Sequence, residues 1–427
     1  MATLLKPRQK IYMHKSFFMK KFYRFTFFFF LTISACLILL SCQSDGKTYL
    51  EGTYGYDLDF FTEQEIEFLE LKSSDNLSRV IIVPAYQGRV MTSTSGGSEG
   101  QSYGWINYSL IESGEEDPQF NPFGGEERFW LGPEGGPYSI YFEEGVDQVF
   151  ENWSVPAVID TDRFDTDRVG HNSARFSKTA TIVNASGTLF DIGIERTISL
   201  LSKKDVSDFL GVNIPENLSF VAYESNNVIT NNGDNKWTKE GGLLSIWILS
   251  MFNPSPETTV FIPFNPDGEG IIVNDDYFGK VPSDRLVIDD NMIYFRADGK
   301  YRSKIGIPPG RARELSGSYD PVRKVLTLVW CSLPEEPRLY VNSAWGEQDD
   351  PFDGDVINSY NDGPLDDGSI MGPFYELETS SPAFALDPDE SAGHIQRVMH
   401  FEGEEEYIAL VVNALFEIDI NDIKLRF

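Results

Sequence analysis

The chain has 427 residues, only four histidines, and a formal net charge of −31 at neutral pH. A surface this acidic repels phosphate backbones and anionic lipid heads, which excludes nucleic acid as a partner. Aromatic residues at 14% and 36 glycines fit an all-β chain rich in turns. No Pro/Ser/Gly linker long enough to separate two domains interrupts it.

The amino end reads as a targeting segment. Lys20, Lys21 and Arg24 precede an apolar run from Phe25 to Leu40, somewhat short for a spanning helix and ordered as in a secretory leader. The run ends in Leu39-Leu40-Ser41-Cys42, which resembles the lipobox of bacterial lipoproteins, whose cysteine is lipidated and becomes the new amino terminus. Met19 directly precedes the two lysines and is an alternative start, which would leave residues 1–18 outside the protein. An uncleaved anchor is the other reading of the same run, and both put the rest of the chain outside the cytoplasm. Residues 1–42 hold seven Lys or Arg and no acid, so their removal takes the net charge from −31 to −38. The expected organisation is a signal peptide with lipobox over 1–42, a polar tether over 43–49 and one domain over 50–427. The expected location is the cell envelope, on the outer face of a bacterial membrane, at the outer membrane or periplasm.

In chain order, Phe60–Leu71 has mixed periodicity and fits a short helix or a strand pair. Arg79–Thr94 reads as strand, turn and strand, and Trp105–Ile111 as a helical turn. Tyr138–Phe142 is a strand by composition. Ala174–Leu201 alternates as two antiparallel strands joined at Asn184-Ala185-Ser186-Gly187, and Val206–Leu210 reads as a short helix. Strands are expected at Phe220–Thr230, Leu243–Phe252, Thr259–Phe264, Gly270–Val273, Asp290–Arg296, Lys324–Ser332 and Tyr340–Trp345. Three more, at Phe374–Thr379, His394–Phe401 and Ile408–Phe416, close the chain. Fifteen or more strands with almost no helix predict a large antiparallel β-sandwich.

The densest chemistry lies in Asn121–Pro137, NPFGGEERFWLGPEGGP. Rings beside charges suit a sugar, whose apolar face stacks on an aromatic while polar groups read its hydroxyls. The bland alternative is a tight hairpin with decorated loops. Phe123, Arg128, Trp130, Glu134 and the nearby Arg89 are candidate binding residues. Arg128 fits a carboxylate clamp or a neutraliser of Glu126. Glu126 and Glu127 point to opposite faces of an extended chain, so at most one faces a pocket. Glu376 and Glu378 are two apart on a strand and share a face. Two carboxylates that close push one pKa up, giving a donor and an acceptor; the alternative is a solvated pair. Asn358 and Tyr360 share a face in the same way. His394 and His400 lie about 20 Å apart on one strand and do not serve one site; His394 is the stronger candidate, with His171 behind it. Asp349, Asp350, Asp353 and Asp355 fit either a structural calcium site or a solvated acidic loop. No other cofactor or metal is expected. Cys331, flanked by apolar residues, reads as a buried small side chain.

Several blocks, in order, resemble the aldose 1-epimerase (galactose mutarotase) superfamily, whose fold is a β-supersandwich: VPAYQGRVMTS, NPFGG, SMFNPSP, VINSYNDG and YELETSSPAFALDPDES. The style of GGEERFWLGPEGG and NSYNDGP is similar to a set of mutarotase-related bacterial lipoproteins. The resemblance places the family's catalytic glutamate, a general base, at Glu378. Its two histidines fall at Phe123 and near Leu249, neither of which donates a proton. The resemblance thus implies the fold and a carbohydrate partner, with an altered site. Three functions follow as expectations. The first is an exported, lipid-anchored epimerase-like enzyme with Glu378 as base, assisted by Glu376, Glu126 or Arg128. The second is a non-catalytic glycan-binding lipoprotein. The third is a lyase or hydrolase on acidic sugars.

Overall fold

The computed structural model describes residues 48–427 apart from 169, 337 and 366. The leader, Cys42 and residues 43–47 of the tether lie outside the described residues. Tyr49–Phe427 forms one compact unit.

Eighteen strands are found among the described residues. In chain order they are β1 (Leu69–Lys72), β2 (Arg79–Val83), β3 (Arg89–Thr94), β4 (Arg128–Gly132), β5 (Asp165–Asp167), β6 (Ser173–Val183), β7 (Leu189–Leu200), β8 (Ser219–Asn231) and β9 (Ser245–Phe252). They continue with β10 (Thr259–Pro263), β11 (Leu286–Asp289), β12 (Met292–Arg296), β13 (Ser303–Ile307), β14 (Leu315–Asp320), β15 (Val325–Cys331), β16 (Ile357–Asn361), β17 (Tyr375–Ser380) and β18 (Ser391–Glu402). A ten-stranded sheet has the order β11-β12-β10-β14-β15-β18-β8-β7-β6-β5, a five-stranded sheet the order β13-β16-β17-β9-β4, and β1-β2-β3 form a small third sheet. The pairings within them are antiparallel, as in β16 with β17, β17 with β9 and β9 with β4. The chain is an all-β, antiparallel supersandwich.

Alternation explains the layers. On the five-stranded sheet, Tyr375, Leu377 and Thr379 face the large sheet, where the Tyr375 hydroxyl meets Ser318 at 2.7 Å and Thr379 meets His394 and Gln396. Glu376 and Glu378 therefore point the other way. On the large sheet, Leu326, Leu328, Met399 and Phe401 turn outward into a second core, closed by Ile408, Val411 and Val412 of the helix Glu405–Phe416.

That helix corrects the strand expected at Ile408–Phe416. The run IALVVNALF is apolar enough for either element, and its buried positions 408, 411 and 412 follow the helical i, i+3, i+4 spacing. Tyr138–Phe142 is also not a strand: Ile140 donates back to the Pro133 carbonyl and Tyr141 to Ser139 Oγ, which folds the segment over β4. Tyr340–Trp345 keeps only a bridge from Tyr340 to Asp353, and Gly270–Val273 is irregular. The helix Tyr54–Glu63 followed by β1 resolves the mixed pattern around Phe60.

Candidate functional site

The outward face of the five-stranded sheet brings distant segments into one row. Arg128 is paired with Leu249, Leu249 with Glu378, Glu378 with Asn358, and Asn358 with Gly306. The next rows add Glu376, Met251, Tyr360 and Lys304 on one side and Trp130 and Trp247 on the other. Directly opposed residues of an antiparallel ladder share a face. Strands β4 and β17 thus meet only because β9 lies between them. Gly306 is glycine for a reason of space: a Cβ there would run into the Asp355 carboxylate and the Asn358 amide.

The two glutamates are held differently. Lys304 Nζ lies 2.8 Å from Glu378 Oε2, with side chains 13% and 0% exposed, and the Trp247 indole N–H donates to the same oxygen at 2.9 Å. The cation nearest Glu376 is the Arg128 guanidinium, at 3.6 Å, which is beyond hydrogen-bond length. Burial and the Glu378 charge push the Glu376 carboxyl up to about 8, and it stands within hydrogen-bonding reach of Glu378. Two carboxylates this close do not ionise independently, and Glu376, the one without a hydrogen-bonded cation, is the one biased toward its acid form. Burial works against the Lys304 ammonium, but Glu378, with Glu376 and Glu134, more than compensates and raises its pKa. Glu134 also faces this cluster; burial raises its pKa against the opposing pull of Lys304. On the β16 side, the Tyr277 hydroxyl donates to Asp355, and Asn358 Nδ2 donates to Tyr277 at 3.1 Å. Burial pushes Asp355 up to about 6.

Aromatic side chains wall the site. The Arg128 guanidinium lies 4.2 Å from the Trp130 ring centroid and 5.6 Å from Phe120. Trp130 packs edge-on against Trp247 at 5.5 Å and meets Tyr141 at 5.4 Å. Tyr141 stacks on Trp153, and Trp153 on Trp345. Trp130 is therefore a platform for Arg128 rather than an open stacking wall, since the cation already occupies its face.

Of the residues singled out from sequence, Glu376, Glu378, Arg128, Trp130, Glu134, Asn358 and Tyr360 are brought together. Tyr360 is buried in a cluster with Met251 and Phe374, its hydroxyl donating to Asp362 at 2.7 Å. The others are not. Glu126 lies between the sheets, accepting from Ser93 at 2.7 Å and meeting His400 at 3.0 Å. Its neighbour Glu127 pairs with Arg196 at 2.6 Å, fully buried, so neither glutamate faces the site. Phe123 stacks on Tyr86 in the core under the helix Tyr54–Glu63. Arg89 donates to the Gly124 carbonyl and to Gln87, a brace for the loop. His394 turns inward onto Thr379 at 2.8 Å, and burial lowers it to about 3, so it stays neutral. His171 is exposed between β5 and β6. Asp349, Asp350 and Asp353 are exposed while Asp355 bonds Tyr277. Among the described residues no three acidic, histidine or cysteine side chains converge as metal ligands. Cys331 is buried, with its thiol pushed up by burial.

Lys304 and Trp247 went unrecognised. Lys304 is the one charge in the strand SKIGI, and a lone charge in an apolar strand was the available signal. Trp247 lies inside a run that reads simply as core.

A family profile matches residues 52–427. The chain belongs to DUF6786, a family of unknown function. No curated protein matches it. Solved structures similar to this DUF6786 chain include the Slr1438 protein of Synechocystis, at 13% identity and a TM-score of 0.45, covering 79% of this chain and 96% of that one. A galactose mutarotase-like protein of Lactobacillus casei is similar at 10% identity and a TM-score of 0.46, covering 79% and 99%. A galactose mutarotase related enzyme of Lactobacillus acidophilus is similar at 10% identity and a TM-score of 0.43, covering 79% and 98%.

Proposed function

We propose that this protein acts on a carbohydrate at the outer face of the five-stranded sheet, with Glu378 as base and Glu376 as acid. One observation carries the proposal: two buried carboxylates on one strand face lie between the Lys304 and Arg128 cations, inside a wall of indole rings. In an epimerase-like step, Glu378 takes the proton of a sugar hydroxyl while Glu376 gives its proton to the ring oxygen, and the ring bond breaks; the reverse transfer closes the ring. Free glucose and galactose are not the expected substrates. Leu249 occupies the centre of the row, between Arg128 and Glu378, where the resemblance calls for a histidine. Leu249 equally favours a second reading, a glycan-binding protein without turnover. Calorimetry against a glycan panel with the wild type and Glu378→Gln, combined with polarimetry, separates them. Binding kept and turnover lost in the variant supports the enzyme; binding without turnover in either supports the binder. Binding of no glycan overturns both.

The same proposal places the protein in the cell envelope, anchored through lipid on Cys42. The charged, apolar, Leu-Leu-Ser-Cys order of the leader supports it.

A further inference from the structure

Arg128 is an outlier among the buried arginines. Arg89 Nε and Arg196 Nε and Nη1 also lack partners, but Arg89 is hydrogen-bonded to a carbonyl and an amide and Arg196 is paired with Glu127, whereas Arg128 makes no hydrogen bond among the described residues. Arg128 is only 4% exposed, yet its Nε and Nη1 are buried without a hydrogen-bond partner among the described residues. Its Nη2 reaches only the Glu376 carboxyl, at 3.6 Å. The rings of Trp130 and Phe120 hold the guanidinium by its faces, so its donor edges are the part left to bind. Phe120 is part-buried and follows the exposed stretch 112–118.

A buried cation without a hydrogen-bonded counter-charge is costly, and that cost falls when an anion completes it. A sugar hydroxyl offers one neutral acceptor. A carboxylate offers a negative charge and two parallel acceptors that match the guanidinium fork. Glu376 is too distant, at 3.6 Å, to fill those donors, and burial and the Glu378 charge bias it toward its acid form. Arg89 adds a second positive group close enough to feel Arg128 electrostatically, and the Asp160 carboxylate, which feels both arginines, is already hydrogen-bonded to the Asn121 backbone and side-chain amides.

We infer that the sugar recognised at this site carries a carboxylate, a uronic acid or its glycoside, and that Arg128 binds that carboxylate through its unpartnered Nε and Nη1. The inference rests on the carbohydrate reading above and narrows it to acidic sugars.

The test is calorimetric titration of the full-length protein in detergent with glucuronate and galacturonate, beside glucose, galactose and galactose 6-sulfate. Uronates should bind at least tenfold more tightly than their neutral counterparts. Arg128→Met should weaken uronate binding about 10- to 100-fold, the range of one charge-assisted pair, and leave the neutral sugars within a fewfold. Arg128→Lys, which keeps charge and fold but loses the fork, should fall between the two. Equal binding of uronates and neutral sugars overturns the inference and leaves the carbohydrate reading intact. Tighter binding of the 6-sulfate than of the uronates overturns the carboxylate assignment. Binding of none of these sugars overturns both. Unchanged uronate affinity in a folded Arg128→Met variant overturns the role of Arg128.

Discussion

Glu376 and Glu378 are neighbours on one strand face, but replacing each with glutamine should have opposite consequences. Burial and the Glu378 charge favour the acid form of Glu376, and a glutamine amide imitates that acid in shape and in donating toward Glu378. Glu376→Gln should therefore change stability by less than about 1 kcal/mol at pH 6. Glu378 is the counter-ion of the 13% exposed Lys304 side chain, and removing one partner of a buried pair costs about 3–5 kcal/mol. The pH dependence is sharper. The Glu376 carboxyl is raised from 4.5 to about 8, so between those values the unfolded chain releases a proton that the folded chain keeps. Stability contributed by this group is full below about 4.5, falls as pH rises to about 8, and stays low above it. The upper bound of that loss is about 5 kcal/mol. Asp57 and Asp355, raised by burial to about 7 and about 6, give slopes of the same sign that end earlier. Urea denaturation from pH 5 to 9 should show wild-type stability still falling above pH 7. In Glu376→Gln that last part flattens, and the variant overtakes the wild type at pH 9. Equal destabilisation by the two glutamines at pH 6, or an unchanged slope above pH 7 in Glu376→Gln, would refute the bias of Glu376 toward its acid form.

Other outcomes follow from the same geometry. Uronate affinity should decline as pH rises through about 8, because ionised Glu376 then supplies Arg128 with an internal counter-ion; calorimetry at pH 6.5 and 9 reads this. Trp130→Ala removes the ring beneath Arg128, so it should weaken acidic-sugar binding about tenfold while circular dichroism keeps its β signature. Arg196→Met strands the fully buried Glu127 carboxylate and should cost about 3–5 kcal/mol in urea denaturation, on the face of β4 that turns away from the site. Cys42→Ser should leave the precursor unprocessed or release the protein from the membrane fraction, read by lipid labelling and fractionation.

Much of the fold was written locally. The period-two alternation of Ala174–Leu201 and Phe220–Thr230 specified β6, β7 and β8 without help from the rest of the chain. The same rule put Glu376 with Glu378, and Asn358 with Tyr360, on common faces. Where one pattern suits two elements, sequence could not decide. IALVVNALF became a helix because the outer face of the ten-stranded sheet needed an apolar cover, a fact that exists only once that sheet is built. Glu126 shows the converse limit. It sits two residues before Arg128 with equal claim to the site, but its backbone pairs with β3, and the Ser93 hydroxyl and His400 imidazole take its carboxylate inward. The site was decided by strand order. Arg128 and Glu378 are 250 positions apart, and only the insertion of β9 between β4 and β17 sets them on either side of Leu249. Lys304 arrives through β13 and β16 in the same way. Hydrogen-bonded registry between distant strands carries no local signature, so sequence alone supplied the charged groups, while tertiary pairing determined which carboxylate is biased toward its acid form and which cation lacks a hydrogen-bonded partner.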